Sequence, residues 1–283
     1  VENKDTGEEK KFYYCRGDSL GYNLVARTGR QPPSGVRFLH FNVRETGRLS
    51  IHGYNHPMVS LRNRAQGVYR GLLGAYGEPH WDPKPPVDEL ISTILSQNTN
   101  DANRDRAFSS LCRRYPDWED LLESPVEDIV ESIRPAGLGP QKGPRIRAVF
   151  RKIKAERGRI ELDFLRTMPA DEVTAWLTDL PGVGPKTAAI VMLFALDLPA
   201  FPVDTHVQRV TGRLGLRPER MPAGKTHGHL AGLFEPGQYA TAHLNLVRLG
   251  REICRARNPD CPRCPLRRMC PNPRRVSRAG RNR

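Results

Sequence analysis

Lys186 and Asp204 are the two side chains whose type and surroundings best suit covalent chemistry. Lys186 lies in Leu180-Pro181-Gly182-Val183-Gly184-Pro185-Lys186-Thr187-Ala188-Ala189, where two stretches of helical apolar spacing meet at a tight turn. The Gly182-Val183-Gly184 turn permits backbone angles and close approach that bulkier residues forbid, and Pro185 fits the first position of a following helix. Amides at such a helix start point outward and form a natural phosphate site, although tight glycine turns between helices also serve packing alone. At the positive end of a helix dipole and in a partly dry cleft, the neutral, nucleophilic amine of Lys186 becomes more accessible, which suits Schiff-base formation. An unaccompanied lysine there also serves to touch phosphate or to solvate the helix start. Phe201-Pro202-Val203-Asp204-Thr205-His206-Val207 puts an acid where a second helix begins, and an N-cap and a catalytic carboxylate are compatible roles for Asp204.

Cys254, Cys261, Cys264 and Cys270 fall within 17 residues in the pattern C-x6-C-x2-C-x5-C, with Cys15 and Cys112 apart. The first ten residues are mostly charged or polar and do not read as a secretory signal, so an intracellular protein is expected. In such a protein, four closely spaced thiols are metal ligands rather than disulfides. Zinc ribbons pair two CxxC knuckles across a longer loop, whereas these ligands follow one another around one short loop able to wrap a compact cubane. Spacing alone leaves zinc and an iron–sulfur cluster both open. The charge has a direction too: Lys+Arg 45 against Asp+Glu 31 gives +14, and eleven arginines against two acids put a net +9 in residues 251–283. A polyanionic partner fits that excess, as does a solvated basic end. With an outward-facing hairpin, the pattern reads as a helix-hairpin-helix that grips nucleic-acid backbone without regard to sequence.

These groups must be positioned by helices. Val87, Leu90, Ile91, Ile94 and Leu95 follow the i, i+3, i+4, i+7, i+8 spacing of one helix face. Similar stripes occur at Ile146, Val149, Phe150 and Ile153, and at Val173, Trp176, Leu177 and Leu180. Ser124-Pro125-Val126-Glu127 predicts a capping box opening a helix that buries Ile129, Val130 and Ile133, with Gly137 as its stop. Convincing strands are absent after residue 58, while residues 1–57 mix strand-like pieces such as 36–43 with Gly and Pro. At 283 residues the chain is long enough for one large or two ordinary domains, and its longest apolar run, Ala188 to Leu196, is too short to span a membrane.

The ordered set LPGVGPKTAA, FPVDTHVQRV and C-x6-C-x2-C-x5-C resembles the endonuclease III family of helix-hairpin-helix DNA glycosylases, over about residues 58–273. The resemblance implies an all-α fold of two helical domains flanking a DNA cleft. One is a helical barrel carrying the hairpin, 79–198, and the other a cluster domain, 58–78 plus 199–275, followed by a basic tail, 276–283. It further implies a [4Fe-4S] cluster on the four cysteines, a lysine nucleophile at Lys186, a catalytic aspartate at Asp204, and backbone contacts from Gly182, Val183 and Gly184. Asn98 occupies the position of the family's gap-filling glutamine and Leu138 that of its wedge leucine, while His206 matches the histidine beside the catalytic aspartate or touches phosphate as a helix-start residue. Gln97-Asn98 departs from the family's serine–alanine–glutamine run, shifting or shortening the amide. Residues 1–57 match nothing in the family and read as an extension of unknown role or a start-site artefact. The implied activity is a monomeric bifunctional glycosylase and abasic-site lyase removing oxidised pyrimidines from double-stranded DNA. Its rivals are a monofunctional or mismatch-directed glycosylase and a noncatalytic, metal-stabilised DNA-binding module.

Overall fold

The computed structural model describes residues 57–272 and, before them, four two-residue strands. The chain divides into two units between Ser60 and Leu61. In the first unit β1 (Phe12–Tyr13) pairs antiparallel with β2 (Val25–Ala26), and β3 (Asn42–Val43) with β4 (Leu49–Ser50). The expected strand-like piece at 36–43 therefore contributes β3 at its end. Cys15 and the basic tail lie outside the described residues.

The second unit is helical, with no strand among its described residues. α1 (Pro57–Tyr76) is followed by α2 (Pro86–Leu95), α3 (Asp101–Arg114), α4 (Trp118–Glu123), α5 (Val126–Ser132) and α6 (Gly139–Arg157). Next come α7 (Ala170–Asp179), α8 (Pro185–Phe194), α9 (Thr205–Arg213), α10 (Ala223–Ala231) and α11 (Tyr239–Glu252). This fold is all-α, as the resemblance implies. No helix among the described residues is long and apolar enough to cross a membrane.

Two hydrophobic clusters organise this unit. The first gathers α2 to α8: Val87, Leu90, Ile91, Ile94 and Leu95 of α2 are all buried in it with the α6 stripe. The second gathers α1, α9 to α11 and the chain beyond α11. Leu266, 1% exposed, reaches this second cluster at Gly71 of α1, where a Cβ would stand 2.5 Å from its Cδ2. Burying such a leucine is worth on the order of 2 kcal/mol, so the cysteine-bearing loop is anchored on α1 by packing. Arg64 of α1 adds a hydrogen bond to the Met269 carbonyl at 2.9 Å.

One local expectation is corrected. Ser124 does not cap α5; Pro125 holds the N-cap position without a side-chain bond, and the Ser124 hydroxyl donates to the Leu121 carbonyl at 2.9 Å. With only two residues between α4 and α5, Ser124 closes α4 before α5 begins. Ile129 and Ile133 are buried as expected and Val130 is half-buried.

Candidate active site

The hairpin forms at the predicted place. α7 and α8 are joined through Gly182, whose φ of 73° lies in the left-handed region, and Pro185 opens α8. A Cβ on Gly182 would also lie 2.3 Å from the Arg145 side chain. Val183 is buried under the turn and donates its amide to the Leu180 carbonyl at 3.1 Å. Among the described residues the exposed amides of Gly182 and Gly184 have no acceptor, so two donors face solvent beside a helix start. That arrangement suits an anion.

Lys186 occupies the first turn of α8 and is half-buried. Asp204 caps α9: its Oδ1 accepts from the Val207 amide at 2.7 Å. Lys186 stands on α8, which packs into the first hydrophobic cluster, and Asp204 heads α9, which packs into the second; the charges of both act on His243 of α11. The His243 ring is 5% exposed and its Nδ1 is 3.0 Å from the Pro202 carbonyl, two residues before Asp204. Burial holds its pKa down at about 4 against the opposing pulls of the Asp204 carboxylate and the Pro202 carbonyl; the Lys186 and His227 charges add to the lowering. His243 is therefore neutral near pH 7, and Lys186 and Asp204 both lie within electrostatic reach of it.

Asp101, at the start of α3, also feels the Lys186 charge. Its carboxylate meets Arg251 of α11 at 2.5 Å and Arg104 at 3.2 Å. Partial burial opposes its ionisation, but the bond and charge of Arg251, then the charges of Arg104 and Lys186, outweigh it and keep its pKa below the ordinary carboxylate value. Lys186 thus acts electrostatically on both Asp101 and His243, and Asp204 acts on His243.

The remaining predicted residues sort by what they touch. Gln97 is half-buried and its Oε1 accepts from Arg145 at 3.0 Å, whereas Asn98 is exposed with a φ of 54°. Of the two amides, Asn98 is the one left projecting. Leu138 also has a φ of 54° and is 42% exposed, a large apolar side chain presented to solvent at the start of α6. The His206 Nδ1 lies 3.0 Å from Arg209, and Gly250 of α11 packs against the imidazole.

Cys254, Cys261, Cys264 and Cys270 line one cavity with Val210, Leu214, Leu249 and Ile253. Burial, then the neighbouring thiols, push Cys264 and Cys270 up. Arg213 reaches the Cys254 sulfur at 3.4 Å and its carbonyl accepts from the Cys270 thiol at 3.4 Å. Among the described residues no three His, Cys, Asp or Glu side chains converge on a single-ion position. Cys112 lies apart on α3.

The family model for HhH-GPD superfamily base excision DNA repair proteins matches residues 91–236, from within α2 into the α10–α11 connection. The endonuclease III of Thermotoga maritima is 35% identical over 185 residues, which is 65% of this chain and 82% of that protein. The chain belongs to the endonuclease III family. A relative in Arabidopsis thaliana is 40% identical over 190 residues, 64% of this chain but 65% of that longer protein. Among solved structures, a trapped covalent intermediate of an endonuclease III with DNA matches with a TM-score of 0.66 at 26% identity, covering 76% of this chain and 98% of that one.

Within this endonuclease III family member, sequence reasoning missed Asp101, His243 and Arg251. Asp101 lies three residues after Asn98, with nothing in the sequence to mark its partner 150 residues away. His243 sits among Ala242, Leu246 and Leu249, where a lone histidine looks like core.

Proposed function

We propose that this protein is a bifunctional DNA glycosylase and abasic-site lyase that removes oxidised pyrimidines from double-stranded DNA, acting as a monomer. The observation that carries the reading is that the charges of Lys186 and Asp204 both act on the buried His243, with Lys186 next to a hairpin whose Gly182 and Gly184 amides have no acceptor among the described residues. Support comes also from the trapped endonuclease III–DNA intermediate, since a covalent adduct to DNA is what a nucleophilic amine would form.

On this reading the hairpin holds the strand backbone while the damaged nucleotide is turned out of the stack, and Leu138 and Asn98 enter the gap. The Lys186 amine attacks C1′ as the glycosidic bond breaks; the bonding pair leaves with the base, and the amine sheds its proton. Asp204 stabilises the positive charge that develops on the sugar. Opening of the ring yields a Schiff base, loss of a C2′ proton drives β-elimination, and the 3′ phosphate departs. His243, neutral and bonded to the Pro202 carbonyl, holds the turn that leads into Asp204.

The four cysteines line one cavity, and four thiols around one space are a donor set that fits an iron–sulfur centre. A [4Fe-4S] cluster held by Cys254, Cys261, Cys264 and Cys270 would supply structural cross-linking, all four thiolates being spent on it.

Borohydride trapping on a panel of lesion duplexes tests nucleophile and substrate class together. Wild-type protein is expected to trap on duplexes with oxidised pyrimidines or abasic sites. Lys186→Gln is expected to abolish trapping while leaving duplex affinity within a few-fold, because the hairpin amides remain. An adduct formed by Lys186→Gln would assign the chemistry to another amine.

A further inference from the structure

Lys142 is a buried lysine to which the proposed reaction gives no part. It lies on the first turns of α6, is 1% exposed, and has no ion-pair partner among the described residues. Its Nζ donates to the Leu95 carbonyl at 2.8 Å and to the Ala136 carbonyl at 3.0 Å. Burial, then the nearby Arg145 charge, push the ammonium below its ordinary range. A buried cation without a counter-ion is unfavourable, and a methionine would fill the same volume without that penalty.

The location of the two carbonyls points further. Leu95 ends α2, immediately before the loop carrying Gln97 and Asn98, and Ala136 ends a 3-10 turn immediately before Gly137-Leu138. Both loops hold a non-glycine residue at a φ of 54°, Asn98 in one and Leu138 in the other. Such angles cost about 1–2 kcal/mol each for L-residues and persist only where the surroundings impose them. One turn further along α6, Arg145 holds the Gln97 amide and packs on Gly182 of the hairpin. Val130 fills the space over Gly139 and Gly143, so this end of α6 is pinned to α5.

We propose that Lys142 is a positioning residue for DNA insertion: its buried ammonium ties the Asn98 loop to the Leu138 loop, so that both side chains enter the gap in one register. The proposal rests on the reading that these loops fill the space left by a flipped nucleotide. Lys142 touches no substrate and acts through the two backbone carbonyls. Arg145 extends the same link to the phosphate-binding turn.

The test compares wild type with Lys142→Met, which keeps the stem and removes both bonds. On a duplex carrying a tetrahydrofuran abasic analogue beside 2-aminopurine, wild type should prefer the analogue over undamaged duplex and raise the fluorescence. Lys142→Met should lose that preference by about tenfold and most of the fluorescence rise, with undamaged-duplex affinity unchanged within twofold. On a single strand with a preformed abasic site, where nothing must be unstacked, Lys142→Met should trap with borohydride at the wild-type rate within twofold. An equal loss on single strand and duplex, or full retention of the analogue preference, would overturn the positioning role. Absence of trapping by wild type would instead remove the functional reading beneath it. Hydrogen exchange on the wild-type protein serves if Lys142→Met does not fold. The bonded amides of Gln97, Thr99 and Gly137 should open at one shared rate and gain protection together on the analogue duplex, and independent rates would refute the link.

Discussion

Asp204 sets two demands on one carboxylate, and the two are separable by substitution. Its Oδ1 caps α9 through the Val207 amide at 2.7 Å, and the same group lies within electrostatic reach of His243 beside Lys186. Asparagine caps a helix about as well as aspartate but carries no charge. Asp204→Asn is therefore expected to keep its urea midpoint close to wild type, within about 0.5 kcal/mol, while slowing single-turnover base release by about 10²- to 10⁴-fold. Asp204→Ala should add a loss of about 1 kcal/mol from the cap. His243 gives a second test at this scale. Its folded-state pKa, near 4, lies below the ordinary 6.5, so the unfolded chain binds the proton that the folded chain refuses. Its contribution is complete above pH 6.5 and is lost as pH falls toward 4, the loss reaching roughly 3 kcal/mol. His227, also held low by burial, acts in the same direction. Urea unfolding across this window should show the acid loss, and His243→Gln should flatten it; an equal slope in both proteins would remove His243 as its source.

Between helices, the hairpin turn makes two glycines look alike in sequence and gives them different work. Gly182 needs its residue type for the fold, since its φ is 73° and a Cβ would meet the Arg145 side chain at 2.3 Å. Gly184 has a φ of −100° and open space where a Cβ would go, so the fold does not require glycine there. Gly182→Ala is expected to lower stability by about 1–3 kcal/mol and to displace Arg145 from Gln97. Gly184→Ala should leave the melting temperature nearly unchanged and weaken binding to any duplex, because a methyl group then stands between the backbone and a phosphate. Thermal melts and duplex titrations on the two variants check this, and equal destabilisation by both would contradict the division.

At the scale of the whole helical unit, the proposed site lies where two hydrophobic clusters meet. The helix carrying Lys186 packs into the first and the helix headed by Asp204 into the second, while the Asp101–Arg251 pair crosses from α3 to α11. The second cluster is completed by the cysteine-bearing loop through Leu266, Cys254, Cys264 and Cys270. Metal affinity at such a loop is also folding free energy. The purified protein is expected to be brown and to hold iron and sulfide at cubane stoichiometry by elemental analysis. Replacing Cys254, Cys261, Cys264 or Cys270 by serine should reduce soluble yield, whereas Cys112→Ser should not. One zinc per chain and no iron would reject the cluster.

What the chain determined by itself is what local spacing can encode. The α2 and α6 stripes, the Gly-Val-Gly turn with Pro185 opening α8, and Asp204 at the head of α9 were all legible, because each depends on residues within a turn or two of one another. Even at this range Ser124 misled, since its hydroxyl donates to the Leu121 carbonyl of α4 and does not cap α5. Tertiary structure alone decided the pairings that give the site its character. Asp101 meets Arg251 across 150 residues, Arg145 meets Gln97 across 48, and Lys142 meets Leu95 across 47. No periodicity records such contacts, because they arise when separate helices pack and remove the side chains between them from water. The same burial makes His243 a neutral ring beside Lys186 and Asp204, a property set by the dielectric of the packed interior rather than by any neighbour in sequence.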